Sequence, residues 1–254
     1  MPNQKVLQEA ARHRRRKRRS AERLYRRYRQ QVPALIRQLG TTPWPTRHRK
    51  GSGTPQGRQA AHDRAFDLLS KMGETVVAEL LEALANPTLD PIAADAASRW
   101  SAIGEVVSLL GTAGDQRARP ALWAFFQANR HDPERASTAA LSLSGLGDER
   151  VLPYVRQNLR TGDEELVSNA VASLIPLGEL EDVDRLRLVH LQFLANREIR
   201  MGVASAILTI LGETDETTMR RKLDEIEASP VDAGLWDDIW YILEQQFGPS
   251  ARDG

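Results

Sequence analysis

The sequence has no cysteine among its 254 residues. This absence excludes disulfide bonds, catalytic thiolates and thiolate-bound metal or iron–sulfur centres. Histidine is also scarce: the five residues are scattered and form no HxxxH pair, which would place two imidazoles on one face of a helix. We therefore expect neither a metal site nor a cofactor.

Long apolar runs are missing as well. No segment approaches eighteen consecutive apolar residues, and the first residues are followed by no apolar stretch typical of a signal peptide. The phosphate-binding motifs GxxxxGK[ST] and GxGxxG are absent, and no Ser, His and Asp stand in a recognisable catalytic arrangement. These absences predict a soluble, cytoplasmic protein that has no transmembrane segment and is not an enzyme.

Positive and negative charges are segregated along the chain, although the net charge is only +1. Residues 1–60 contain 17 Lys and Arg but only two acids, Glu9 and Glu22, so that this segment carries +15. The remaining 194 residues contain 18 basic and 32 acidic side chains and carry −14. The sequence thus predicts an acidic body with a basic arm.

A glycine that follows a large apolar residue recurs at intervals of 31 to 38 residues. The five pairs are Met72-Gly73, Leu110-Gly111, Leu146-Gly147, Leu177-Gly178 and Leu211-Gly212. In every copy the residues one, four and eight positions before the glycine are apolar, and this spacing is one stripe of an α-helix. Alanine is frequent at the eighth position, which suits close approach of a neighbouring helix. Each glycine fits the left-handed residue that commonly ends a helix.

Polar residues followed by proline predict where these helices begin. Asp90-Pro91 and Asp132-Pro133 are each typical of an N-cap followed by a proline in the first turn, and Ser229-Pro230 and Asn196 are similar. After each glycine a short polar turn leads into a second apolar-periodic segment, for example residues 151–159. Each repeat is therefore predicted to be a pair of helices.

Helix pairs of this period, with a first helix that ends in Leu-Gly and a short acidic turn such as Gly147-Asp148-Glu149, resemble HEAT repeats. They are most similar to the short bacterial type found in phycobilisome-lyase-like proteins. The resemblance covers residues 61–228 and implies an all-α fold, an α-solenoid of about five HEAT-like helix pairs. Such families mostly serve as scaffolds that bind other macromolecules. A single pair cannot cover its apolar face alone, so stacked neighbours share a continuous core.

The segments on either side of the solenoid have their own character. Residues 229–254 are predicted to form a C-terminal capping helix and tail, with Leu235 and Ile239 on the apolar face and Asp238 on the solvent face. Residues 41–60 are rich in Pro, Gly and Thr, which is typical of a linker. The arm, residues 1–40, is predicted to be helical from about residue 4 to residue 31. We expect part of it to dock on the solenoid or another protein, and the body to stay folded without it.

The basic arm is the first candidate binding site. Ten residues are predicted to bind nucleic acid: Arg12, Arg14, Arg15, Arg16, Lys17, Arg18, Arg19, Arg23, Arg26 and Arg27. Each phosphate that such a cluster neutralises releases counterions, so that affinity falls steeply with salt. An acidic protein surface, including the body of another copy, and an anionic membrane are the alternatives.

The second helices of the repeats provide the other candidate site. Six arginines in them are predicted to line a local basic groove on the concave side: Arg156, Arg160, Arg185, Arg187, Arg220 and Arg221. Ordinary solvated faces, on which Asp and Glu neighbour these arginines, are the alternative interpretation.

The leading hypothesis is a non-enzymatic scaffold or adaptor. Its solenoid would bind a protein partner while its arm binds RNA or DNA, which raises the effective concentration of one near the other. Two alternatives stay open. One, implied by the resemblance, is an enzyme or enzyme subunit of the phycobilin-lyase or HEAT-like DNA glycosylase kind. The other is salt-sensitive self-assembly, in which the arm of one copy binds the acidic body of the next.

Overall fold

The computed structural model describes residues 4–40, 56–86, 96–212 and 214–248. These residues are almost entirely helical, and no β-strand occurs among them. The chain divides into two compact units, residues 1–125 and residues 126–254. The all-α class predicted from the sequence is therefore confirmed.

The first unit begins with the basic arm. Its helices are α1 (Gln4–Tyr28), α2 (Val32–Gln38), α3 (Gln56–Met72), α4 (Val77–Ala85), α5 (Ala96–Ala113) and α6 (Arg119–Ala128), the last of which runs past residue 125. Short 3-10 segments join α1 to α2, α3 to α4 and α5 to α6. Within this unit α2 packs against α3, α4 and α5, and α1 packs against α3.

The second unit is a series of helix pairs followed by one further helix. Its helices are α7 (Pro133–Gly145), α8 (Leu152–Asn158), α9 (Glu164–Leu177), α10 (Leu180–Gln192), α11 (Arg197–Gly212), α12 (Glu216–Ala228) and α13 (Ala233–Phe247). The first helices α7, α9 and α11 pack side by side in a row that α13 continues, and α8, α10 and α12 pack beside this row. The described residues from 56 to 228 thus form the five helix pairs of the predicted solenoid class.

Two of the predicted helix starts are confirmed by side-chain caps. The Asp132 side chain accepts a hydrogen bond from the backbone N–H of Arg135, and Pro133 is the first residue of α7. The Asn196 side chain accepts hydrogen bonds from backbone N–H groups in the first turn of α11. Such caps satisfy N–H groups that have no partner inside the helix.

Of the other two predicted starts, the structure describes only one. The Ser229-Pro230 prediction was wrong, because Ser229 is the C-cap directly after α12 and the last helix begins three residues after Pro230, at Ala233. Asp90-Pro91 lies outside the described residues.

The glycine positions are only partly as predicted. Gly73 and Gly147 are left-handed, with φ angles of +52° and +72°. The predicted stop at Gly111 was wrong, since α5 continues to Ala113 and Gly114 takes the left-handed conformation with φ +70°. Gly178 directly follows α9 but is extended, at φ −64° and ψ 145°.

The end of the basic arm belongs to the core of the first unit. Val32, Leu35, Ile36 and Leu39 are buried, and α2, which carries three of them, packs against α3, α4 and α5. The prediction that part of the arm docks on the helix pairs is confirmed for this segment. Because removal of residues 1–40 would strip these side chains from the core, a removable arm must end before Val32. Most of the predicted linker, residues 41–55, lies outside the described residues.

The last helix packs as a continuation of the row of first helices. Leu235 and Ile239 are fully buried, as predicted for a capping helix. Asp238 was predicted to face solvent, and this was wrong: it is only 8% exposed, and it contacts His190 and forms an ion pair with Arg200 of the same unit.

Gly178 gives a direct test of how tightly the row is packed. A Cβ added at this position would lie 2.5 Å from Cδ1 of Ile210 and 2.6 Å from the carbonyl oxygen of Leu174. We predict that Gly178→Ala lowers the free energy of unfolding by about 1–3 kcal/mol through overpacking. Gly162→Ala is the control, because its Cβ would meet nothing within 4 Å. Urea denaturation followed by circular dichroism measures both, and equal stability of the two variants would contradict the prediction.

Candidate nucleic-acid interface and ion-pair clusters

The basic part of α1 presents positive charge on all sides. Residues 12–19 are all exposed, and seven of these eight residues are Arg or Lys. Because an α-helix has 3.6 residues per turn, the seven cations surround the helix axis. Arg23, Arg26 and Arg27 are exposed as well, so that all ten residues predicted to bind nucleic acid are accessible.

The density of this charge is unusually high. At a rise of 1.5 Å per residue, residues 12–19 span about 12 Å of helix axis. The seven cations therefore provide one positive charge at about every 1.7 Å, which is also about the spacing of negative charge along the axis of duplex DNA. Arg18 shares an exposed ion pair with Glu22 at 3.3 Å, an arrangement that water screens strongly.

The C-terminal end of α1 is fixed to the rest of the first unit. Tyr25 and Tyr28 are half-buried, and the Tyr25 hydroxyl donates a hydrogen bond to Oε1 of Glu79 on α4. This hydrogen bond, together with burial, raises the pKa of Tyr25. The guanidinium of Arg27 lies 5.4 Å from the centre of the Tyr28 ring. The basic segment thus extends from an end that is anchored by packing and by a polar contact.

Arg156, on α8, is held by three carboxylates at the start of α10. Its guanidinium nitrogens lie 2.6 Å from Oε2 of Glu179, 2.9 Å from Oε1 of Glu181 and 2.9 Å from Oδ1 of Asp182. Arg185 adds a 2.6 Å contact to Asp182, whose side chain is fully buried. Oxygens of the three carboxylates lie within 4.8 Å of one another, a spacing that suits a cation, and the guanidinium of Arg156 supplies that charge.

The cluster controls the ionisation of Asp182. Burial alone would raise the pKa of this carboxyl, but hydrogen bonds from Arg156, from the Glu179 backbone N–H and from Arg185 outweigh it and lower the pKa below its usual range. The hydrogen bond to Asp182, with that to the Glu179 side chain and the charge of Glu181, raises the pKa of Arg156. Asp182 is therefore ionised at neutral pH, and a matched set of donors surrounds it.

Other arginines of the predicted groove also have acidic partners. Arg187 lies 2.5 Å from Oδ2 of Asp232, and Arg220 lies 3.0 Å from Oε1 of Glu216 in the preceding turn. Arg221 is exposed on α12, whereas Arg160, predicted to lie in a second helix, is exposed in the turn after α8, which ends at Asn158. Much of the positive charge of the second helices is thus neutralised locally, and a basic groove stays a prediction.

A comparison with protein families found that a model of HEAT repeats matches residues 92–175. The match extends from just before α5 to the last turn of α9 and so includes parts of both units. The chain carries HEAT repeats. Proteins built from HEAT repeats commonly mediate protein interactions or act as scaffolds. A comparison with curated proteins found no match, and the likeness to the phycobilisome-lyase type stays a prediction.

None of the helices in the described parts of the chain combines the length and the apolarity that a membrane crossing requires.

Sequence reasoning missed a buried polar cluster near the end of the row. Nε2 of His190 on α10 lies 2.9 Å from Oδ2 of Asp238 on α13, and Nε of Arg200 on α11 lies 3.1 Å from the same oxygen. His190 is 1% exposed, and its Nδ1 has no hydrogen-bond partner among the described residues. The cluster ties α10, α11 and α13 together at the end of the row.

No local motif could have revealed this cluster. His190 and Asp238 are separated by 48 positions, so neither helical spacing nor a short pattern relates them. The feature that could have indicated this cluster was the register of the repeats, because α13 continues the row of first helices and turns one of its faces toward α10 and α11.

The first unit contains a second buried histidine. Nε2 of His62 on α3 lies 3.1 Å from Oε1 of Glu105 on α5, and both residues are buried. The hydrogen bond to Glu105 raises the pKa of His62, against the opposing effect of burial and with help from Asp63. The pair joins α3 to α5, and its hydrogen bond favours the protonated imidazole.

Replacement of Arg156 tests the carboxylate cluster. We expect Arg156→Met to lower the free energy of unfolding by about 2–4 kcal/mol at pH 7, less than for a fully buried pair because the Arg156 side chain is 24% exposed. Arg220→Met is the control, since the Arg220 and Glu216 side chains are both 73% exposed, and it should cost about 0.5 kcal/mol or less.

The effect should also depend on pH. Because the pKa of Asp182 is lowered in the folded state, its contribution is present above about pH 4 and is lost as the pH falls through the lowered pKa. The stability difference between wild type and Arg156→Met, measured by urea denaturation from pH 7 to pH 3, should therefore shrink toward acid. A constant difference over this range would contradict the assignment.

His62 predicts a pH dependence of the opposite sign. Its pKa is raised in the folded state, so its contribution to stability is fully present below about pH 6.5 and is lost as the pH rises through the raised pKa. Wild type should therefore lose stability between pH 5.5 and pH 8.5 relative to His62→Gln in urea denaturation. His13→Gln, at an exposed position of α1, should follow wild type. Parallel curves for wild type and His62→Gln would show that the pair carries no such effect.

Proposed function

We propose that this protein is a non-enzymatic scaffold whose HEAT repeats bind a protein partner and whose α1 binds the phosphate backbone of a nucleic acid. The observation that carries the proposal is the exposure of seven cations within eight residues of one helix. Their axial spacing of about 1.7 Å is close to that of the charges on a nucleic-acid duplex. Arginine supports the assignment further, because its planar fork binds two phosphate oxygens at once.

The distribution of charge around α1 favours nucleic acid over a membrane surface. A helix that lies on a membrane needs an apolar face opposite its basic face. Residues 12–19 offer no apolar side chain on any face. A groove of a duplex, or a single strand wrapped around the helix, brings phosphates to several sides of it.

The anchoring of α1 supports the role of a tether. Tyr25, Tyr28 and the buried segment from Val32 to Leu39 hold the end of the helix on the first unit, while the basic segment stays accessible. A nucleic acid bound to α1 would therefore stay close to a protein bound to the repeats. Such linkage raises the effective concentration of one ligand near the other without any new contact.

The proposal is tested by binding of labelled duplex DNA and RNA to full-length protein across a salt series. Contacts to about seven phosphates of B-DNA predict a slope near −6 in a plot of log K against log salt concentration. A variant in which residues 14–19 are changed to Gln should lose most of the affinity and most of the slope. Its control is Arg130→Gln with Arg197→Gln, two exposed arginines of the second unit that lie outside both predicted basic sites, and this variant should bind like wild type.

Circular dichroism of each variant checks that the fold is intact, because the changed residues lie outside the buried part of the arm. Equal affinity of the residue 14–19 variant and wild type would remove α1 from the interface. No binding to either nucleic acid at low salt would overturn the nucleic-acid half of the proposal. If, in addition, the mass of the protein rose with concentration and fell in high salt, the basic helix would act in self-assembly.

A further inference from the structure

The basic segment of α1 carries cations on two opposite sides of the helix. Because successive residues turn by about 100° around the axis, Arg12, Arg16 and Arg19 lie within about 60° of one another. Arg14 and Lys17 lie about half a turn away from them. All five side chains are exposed. Residues 12–19 therefore offer positive charge in two opposite directions at once.

The two sides differ toward the end of α1. One side continues as exposed arginines as far as Arg27, whereas the other is taken up by packing, with Leu24 and Tyr28 half-buried. Arg14 and Lys17 lie on this second side but are exposed. The side that packs against the first unit near the end of α1 is therefore accessible to a ligand in the basic segment.

The number of cations exceeds what one strand of a nucleic acid can pair with. One strand of a duplex brings a phosphate for about every 3.4 Å of its axis, so the roughly 12 Å spanned by residues 12–19 faces about three or four of its phosphates. Both strands together bring about seven over the same length. The seven exposed cations therefore match the phosphates of two strands, which line the opposite walls of a groove.

Helix α1 also lacks the side chains that hold a single strand. Proteins that bind single strands stack the bases on accessible aromatic rings. Tyr25 and Tyr28 are the only Tyr, Phe or Trp residues of α1, and both are half-buried. The hydroxyl of Tyr25 is bound to Glu79 on α4. The helix thus favours a ligand whose bases are already stacked in a duplex.

We propose that α1 lies in the major groove of duplex DNA, with its two cationic sides toward the phosphates of the two strands. This inference rests on the proposed nucleic-acid binding and specifies its ligand. The major groove of B-DNA is about 12 Å wide and admits an α-helix, which measures about 10–12 Å across with its side chains. The major groove of duplex RNA is deep and narrow, so an RNA duplex offers α1 no equivalent place.

The experiment compares the affinity of full-length protein for three labelled ligands of equal length at one salt concentration. The ligands are a DNA duplex, the RNA duplex of the same sequence and one of the two DNA strands alone. The DNA duplex should bind at least about tenfold more tightly than either of the others, because it alone brings two phosphate walls to the helix. If the RNA duplex or the single strand bound as tightly, the groove assignment would be overturned and the proposed function would stand. Absence of binding to all three would overturn both.

Two matched double variants test the opposite sides of the helix. Arg12→Gln with Arg16→Gln removes two exposed cations from one side, and Arg14→Gln with Lys17→Gln removes two from the other. In the groove each variant loses about two phosphate contacts, so each should weaken DNA binding about tenfold or more and reduce the salt slope by about 2. Gln forms helices about as well as Arg, which circular dichroism of both variants checks.

A ligand that follows one side of α1 gives a different result. Loss of affinity in the Arg12 and Arg16 variant alone would mean that a single backbone runs along the outer arginines, and this would overturn the proposal. Two small cationic competitors identify the groove. Methyl green, which occupies the major groove, should displace the protein from the DNA duplex, and netropsin, which occupies the minor groove, should not. Displacement by netropsin alone would place α1 in the minor groove and contradict the assignment.

Discussion

Close approach of the first helices is the constraint on which the second unit depends. Ala139, Ala170 and Ala204 are buried at equivalent positions of three successive repeats. At Gly202 of α11 even a methyl group would come within 3.2 Å of Val171 on α9. The row of α7, α9, α11 and α13 therefore depends on small side chains where neighbours touch, because a larger one would push the helices apart.

The ion pairs of the second unit depend on that spacing. Arg156 of α8 reaches the start of α10, Arg187 of α10 reaches Asp232, and Arg200 of α11 reaches Asp238. The first of these pairs joins the third helix pair to the fourth, and the other two join the fourth and fifth helix pairs to the start of α13 and to α13 itself. Such pairs gain little net stability over an apolar contact because both charges lose water, but a mispaired repeat would leave a buried charge without a partner. Their physical effect is to fix the register between neighbours.

The parts of the fold that follow from local chemistry could be predicted from the sequence. Asp132-Pro133 and Asn196 mark helix starts because a short polar side chain must satisfy free N–H groups there. The helix end predicted at Gly111 was wrong because glycine is tolerated inside a helix. Helix α5 continues for two more residues, and Gly114 then supplies the left-handed turn. The burial of Asp238 and of the end of the arm depends on partners far away in the chain. The sequence prediction was therefore wrong for Asp238 and incomplete for the arm.

The even distribution of charge around α1 has a consequence for selectivity. Because cations lie on every side of residues 12–19, the electrostatic potential is nearly the same in every direction around the helix axis. These residues therefore do not fix a bound polyanion at one angle around the helix axis or at one position along its own length. If α1 binds a nucleic acid as proposed, these residues hold its phosphate backbone without reading its sequence, and any discrimination between sequences has to come from a different surface.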